Sequence, residues 1–261
     1  MSLAQLLAGA VRLADGFCTA IPEDWHQGRT AFGGLTAALA LAAARQVGGE
    51  DLPPLRSVQV SFIGPVYGEV EVRARVLRRG RNAVWIAAEV LREGEVGTCV
   101  TFVFMAPIKN QLHLKHLATI PCLIALDDAP VREPDPHPVR LLQHMEVRFA
   151  LPPCQEARAE TCWWVRAKER EGLDPVMQLL LCADVPPPGV FAVLPRPVPP
   201  ISSMTWLLNV LTTRLETRDG WWLMRVTGDT LEQGCSSDRM EIWNADGEAV
   251  SLGMQSVAIF G

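Results

Sequence analysis

The chain has 261 residues, 49% hydrophobic and 20% charged, with a formal net charge of -5; this describes a globular body with a large core, either one larger domain or two small ones. The acidic balance and the lack of a basic stripe argue against a nucleic-acid binder, because nothing would neutralise a run of phosphates. The seven cysteines are odd in number and never spaced Cys-x-x-Cys, which favours reduced thiols in the cytoplasm over a disulfide framework or a zinc site.

Met1 to Ala10 is apolar but carries no basic leader, so Ser2 to Ala14 reads as a short amphipathic segment and not as a signal peptide. No uninterrupted apolar stretch is long enough to span a bilayer, and no membrane insertion is expected. Phe32-Gly33-Gly34-Leu35 then opens an alanine-rich helix that runs to Val47. A helix with so little polar face must be buried on most sides, and a sheet wrapped around it would provide that burial. Strands follow from Ser57 to Phe104. Val70 to Val76 alternates as a strand with one buried face, and Val84 to Leu91 and Thr98 to Phe104 are two more. Arg78 to Asn82 and Glu93-Gly94 supply the turns. Such short connections cannot cross over between parallel strands, so the sheet is antiparallel.

From Ala106 to Arg140 the pattern breaks, with Pro107, Pro121, Pro130, Pro134, Pro136 and Pro138 interspersed with charges. Residues 1–108 and 141–261 are therefore the expected units, with 109–140 between them and its second half, from about Asp127, as the linker proper. The second unit opens on alternating Met145, Val147, Phe149 and Leu151, followed by a strand from Glu160 to Ala167. Asp174 is placed to cap a helix that has Pro175 at its first position. Pro186-Pro187-Pro188-Gly189 cannot continue that helix, so it stops near Asp184. Trp221 to Thr227, Arg239 to Asn244 and Glu248 to Phe260 close a second sheet.

An apolar helix followed by alternating strands thus occurs twice, which predicts two similar units packed as one body. Ser57-Val58-Gln59 parallels Ser203-Met204-Thr205, and Glu93-Gly94 parallels Asp246-Gly247. The arrangement describes a double hotdog: an α+β protein of two tandem units, each an antiparallel sheet wrapped around a central helix. The turn Arg29-Thr30-Ala31-Phe32-Gly33-Gly34, the strand Val58 to Phe62 followed by Pro65, the stretch Trp221 to Met224 and the final strand around Gln255 resemble the acyl-CoA thioesterase II (TesB-like) family. The resemblance runs from about Gly28 to Phe260, apart from the linker. It implies a hydrolase acting on a fatty or aryl acyl-CoA in fatty acid metabolism. The family's hydrolytic Asp, Thr and Gln are carried over to Asp184, Thr205 and Gln255. It also implies a homo-oligomer, since hotdog sheets commonly join edge to edge, and it implies no metal or redox cofactor. The chain departs from the family in three places: Trp206-Leu207-Leu208 stands where an Asp-His pair is usual, Ser256 where an acidic residue often follows the Gln, and Gly64-Pro65 where the family has Arg-Pro.

The residues allow a simple chemistry for such a site. No Ser-His-Asp elbow is present, and none of His26, His113, His116, His137 and His144 has a nucleophile beside it in a recognisable motif. Direct attack by water is therefore the simpler expectation. A carboxylate at a helix C-terminus faces the negative end of the dipole, and burial acts in the same direction, so both raise the pKa of Asp184 and make it a better base. Thr205 and Gln255 would hold the water, and strand parity puts Gln255 on one face with Val257 and Ile259. Phe32, Gly33 and Gly34 form the expected substrate-binding turn, whose amides suit a polarised thioester carbonyl. Each feature also has a plain reading: a helix stop, an ordinary strand threonine, an edge amide, a tight turn. Arg78, Arg79 and Arg81 fit a charged hairpin better than a phosphate contact. A non-catalytic acyl-CoA or hydrophobic-ligand binding protein is the alternative function. A hotdog hydratase fits less well, because no His stands with an Asp at a helix.

Overall fold

The computed structural model describes residues 1–112, 114, 123–133, 139–152 and 156–260; His113, His116 and His137 and parts of the expected linker lie outside the described residues. The first half comprises α1 (Leu3–Ala8), β1 (Val11–Leu13), β2 (Gly16–Ile21), β3 (His26–Gln27), β4 (Thr30–Ala31), α2 (Gly33–Gly48), β5 (Leu55–Phe62), β6 (Gly68–Arg79), β7 (Ala83–Arg92) and β8 (Glu95–Met105). The second comprises β9 (Met145–Phe149), β10 (Glu160–Ala167), α3 (Pro175–Ala183), β11 (Ile201–Val210), β12 (Trp222–Glu232), β13 (Cys235–Asn244) and β14 (Ala249–Ile259).

Twelve of the strands form one antiparallel sheet in the order β1-β2-β6-β7-β8-β5-β11-β14-β13-β12-β10-β9, while β3 and β4 pair separately. Read outward from its centre, the sheet repeats itself. β5, β8, β7, β6, β2 and β1 on one side match β11, β14, β13, β12, β10 and β9 on the other. The two halves meet at β5 and β11, where Val60 lies opposite Trp206 and Val58 opposite Leu208. Inward residues of both halves join one continuous core with α2 and α3. This explains the composition of α2: Leu35, Ala37, Ala38, Leu39, Ala40 and Leu41 are all buried, because the helix is enclosed by sheet and by α3 and has almost no solvent side.

The amphipathic N-terminal segment is shorter than expected. Ser2 and Gln5 form a capping box, with Ser2 Oγ accepting from the Gln5 amide at 3.3 Å and Gln5 Oε1 accepting from the Ser2 amide at 2.8 Å. Leu3 and Leu6 are buried, Gly9 ends the turn, and the chain then pairs as a strand. A second tie between the halves is Trp25, whose ring stacks in parallel on His144 with centroids 3.9 Å apart. Residues 123–133, expected within the linker, pack on the second half. The Ile124 amide donates to the Ala150 carbonyl at 2.9 Å and Val131 bridges to Arg148. Leu126 and Ala129 are buried in a small cluster with Trp164, Trp221, Leu223 and Trp243. The physical reason is the pair Trp164 and Trp221, whose large apolar area on the far side of the sheet needs a cover. No helix among the described residues is long and apolar enough to cross a membrane.

Candidate active site

The two helices run side by side in opposite directions, so each end of the pair joins the N-terminus of one to the C-terminus of the other. One end is closed by charge. Asp174 caps α3, accepting from the Val176 and Met177 amides at 2.9 and 3.2 Å, and takes a two-pronged ion pair from Arg45 in the last turn of α2. Burial pushes the Asp174 carboxyl up, but the Arg45 guanidinium and the two amides outweigh it and hold the carboxyl below its ordinary value.

The other end carries a carboxylate with no cation beside it among the described residues. Asp184 is the C-cap of α3, where Pro186 stops the helix. It meets the first turn of α2. A methyl group on Gly33 would lie 2.5 Å from Asp184 Oδ2 and 2.7 Å from the Phe62 ring, and one on Gly34 would lie 2.8 Å from the Leu181 carbonyl oxygen. Close approach of the two helices, and not backbone freedom, is what demands glycine at both positions. The Asp184 residue keeps partial exposure, but its carboxyl sits deep between the helices. Burial pushes its pKa up from 3.8 to about 7, opposed only by the Gly34 amide. No Arg, Lys or His among the described residues compensates it. The neighbouring Cys182 thiol is pushed up to about 12 by burial and is inert as a nucleophile.

Gln255 lies where its parity placed it. It is 5% exposed and sits on the inner face of β14, directly between Asp238 of β13 and Trp206 of β11. Its side-chain amide makes no hydrogen bond among the described residues. Asp238 is fully buried and already engaged: Ser236 Oγ donates to it at 2.7 Å and the Val190 amide at 3.3 Å. It pins the turn at Gly189–Val193 against the sheet, and nothing in the sequence pattern singled it out.

Thr205 requires a correction. It is exposed and points away from both helices. Trp206, Leu208 and Val210 are the buried positions of β11, and Thr205 is out of phase with them. A β-bulge between Ser203 and Thr205 then resets the alternation. As a result Ser203, opposite the buried Val257, returns to the inner face beside Gln255. The hydroxyl this strand offers to the interior is therefore that of Ser203. Phe32 is also placed differently from a ligand-facing residue: its ring is wholly buried against Gly34, its amide donates to the Trp25 carbonyl at 2.9 Å, and its carbonyl receives the Leu35 and Thr36 amides.

A helix wrapped by an antiparallel sheet, twice over and fused along β5 and β11, with a lone carboxylate where the two helices meet, defines a double-hotdog α+β protein. The description acyl-CoA thioesterase N-terminal domain matches residues 21–106, and acyl-CoA thioesterase C-terminal domain matches residues 125–259. The chain belongs to the acyl-CoA thioesterase family. Among solved structures it is similar to a conserved hotdog-fold protein of unknown function from Alicyclobacillus acidocaldarius, with 23% identity, a TM-score of 0.87 and coverage of 100% of this chain and 99% of that one. It is also similar to an acyl-CoA thioesterase II from Mycobacterium marinum (18% identity, TM-score 0.78, coverage 99% and 98%) and to a TesB protein from Mycobacterium avium subspecies paratuberculosis (17% identity, TM-score 0.73, coverage 100% and 100%). At these identities the likenesses speak for the fold alone. No curated protein matches the sequence.

Proposed function

We propose that this chain hydrolyses a fatty or aryl acyl-CoA to the free acid and CoA, with water positioned by Asp184, Ser203 and Gln255. The observation that carries the reading is the uncompensated Asp184 carboxyl against the Gly33-Gly34 turn. A base that ionises near neutral pH is matched to removing a proton from water. In the proposed reaction the water oxygen bonds to the thioester carbon while Asp184 takes a water proton. Negative charge builds on the carbonyl oxygen at the N-terminus of α2, where amide and dipole favour it. Collapse breaks the carbon–sulfur bond, and the departing CoA thiolate takes up the proton that Asp184 removed from the water, which returns Asp184 to its ionised form. Ser203 and Gln255 orient the water from the sheet side.

The test is thiol release from short, medium, long and aromatic acyl-CoAs. Release from at least one class supports the reading; stabilisation by acyl-CoA without release from any would replace it with the binding-protein alternative. The position of the hydroxyl is tested in the same assay. Ser203→Ala is expected to lower kcat about tenfold or more, and Thr205→Ala to leave it within about twofold. A larger loss in Thr205→Ala than in Ser203→Ala would return the role to Thr205. The same reading includes a division at about residues 1–108 and 141–261, a cytoplasmic setting consistent with free Cys18, Cys99, Cys162, Cys182 and Cys235, a role in fatty acid metabolism, and assembly as a homo-oligomer.

A further inference from the structure

The first turn of α2 offers fewer free donors than its glycines suggest. The Gly34 amide is turned to the Asp184 carboxyl. The Leu35 and Thr36 amides both return to the Phe32 carbonyl, at 3.1 and 3.2 Å. That leaves the Gly33 amide, which has no backbone partner among the described residues. A tetrahedral oxyanion is generally held by two or more donors, so a second one is missing from the helix end.

Trp206 is placed to supply it. The residue is 1% exposed, and its Nε1–H makes no hydrogen bond among the described residues. An indole nitrogen can only donate, and a buried donor left unpaired is rare in folded proteins and costs stability. Trp206 stands on the inner face of β11 between Val60 of β5 and Gln255 of β14. Two residues beyond Val60, on the same face of β5, Phe62 lays its ring against Gly33 next to Asp184. The indole therefore sits beside both the water-holding amide and the open end of α2. A second buried indole without a partner among the described residues, that of Trp222, lies in the same core but between Val165 of β10 and Asn244 of β13, away from both Gln255 and β5.

We propose that the Trp206 indole N–H donates to the carbonyl oxygen of the bound thioester, alongside the Gly33 amide, and holds the oxyanion that forms when water adds. The proton stays on the indole throughout. The inference rests on the thioesterase reading of the same site.

Trp206→Phe keeps an aromatic ring and removes the donor. It is compared with wild type in steady-state hydrolysis and in binding two inert CoA conjugates: a ketone in which a methylene replaces the sulfur, and an alkyl thioether that lacks the carbonyl. Wild type should bind the ketone about tenfold more tightly than the thioether. Trp206→Phe should lose that advantage, with KM raised by up to about tenfold and kcat down about a hundredfold. Equal weakening of both conjugates, or an unchanged kcat, would make Trp206 a packing residue and overturn the proposal. If the variant does not fold, a crystal structure of wild type with the ketone decides: Nε1 within about 3.2 Å of the carbonyl oxygen supports the proposal, and a water or nothing in that place overturns it. Wild type that prefers the ketone but releases no thiol would defeat the hydrolase reading and leave the donor standing. Thiol release without the ketone preference would defeat the donor alone.

Discussion

Asp184→Asn is expected to lower kcat about a thousandfold on whichever acyl-CoA the wild type hydrolyses best, because it removes the group proposed to accept the water's proton. The asparagine is nearly isosteric and can still meet the Gly34 amide, so the loss would report chemistry and not collapse of the site. The wild-type pH profile should carry the same signature. Asp184 must be ionised to act, and its carboxyl ionises at about 7, so kcat/KM should climb with pH and level off above about 7. A profile that is flat from about pH 5.5 to 8.5, or a variant within tenfold of wild type, would remove Asp184 from the role of base.

The same substitution should make the protein more stable in alkaline solution. With its folded pKa raised to about 7 from an ordinary 3.8, the folded state binds the Asp184 proton more tightly than the unfolded chain does. Its contribution is therefore fully present below about pH 4 and is lost as pH rises through about 7. At about 1.4 kcal/mol for each pKa step, ionising Asp184 in place costs about 4 kcal/mol by pH 8. Denaturant unfolding of wild type and Asp184→Asn should give nearly equal stabilities at pH 4 and a variant more stable by about 2–4 kcal/mol at pH 8. Other titrating groups are common to both proteins and cancel in the difference. Parallel curves across that range would mean that the carboxyl is well solvated and carries no strain.

Much of the architecture is legible in the residues because burial writes itself into periodicity. The almost wholly apolar run after Gly33 reads as a helix buried on most sides, and it is one, ending a residue beyond the expected Val47. Alternation through Gln255, Val257 and Ile259 reads as an inward amide, and Gln255 is buried. Thr205 fails for a reason that also lies in the backbone. Counting back from Trp206, Leu208 and Val210 already puts Thr205 on the outer face, a signal available in the sequence. The same count would also have put Ser203 outside, and only the bulge brings it in. An irregularity of one residue leaves no mark in composition, because Ser, Met and Thr each suit a strand. Asp238 is hidden for a different reason: its partners are Ser236, two residues away, and a backbone amide 48 residues away, and no local pattern announces a contact of that range.

The two ends of the helix pair have separate fates because both halves lie on one polypeptide. In an assembly of two identical chains, any residue gained at one end appears at the other as well, and a substitution that hardens one would silence its twin. Here Arg45 and Asp174 lock one end with opposite charges, while the other keeps a carboxylate that costs the fold stability. Covalent fusion lets a strained end be retained beside a reinforced one, with the reinforced end free to offset the strain of its neighbour.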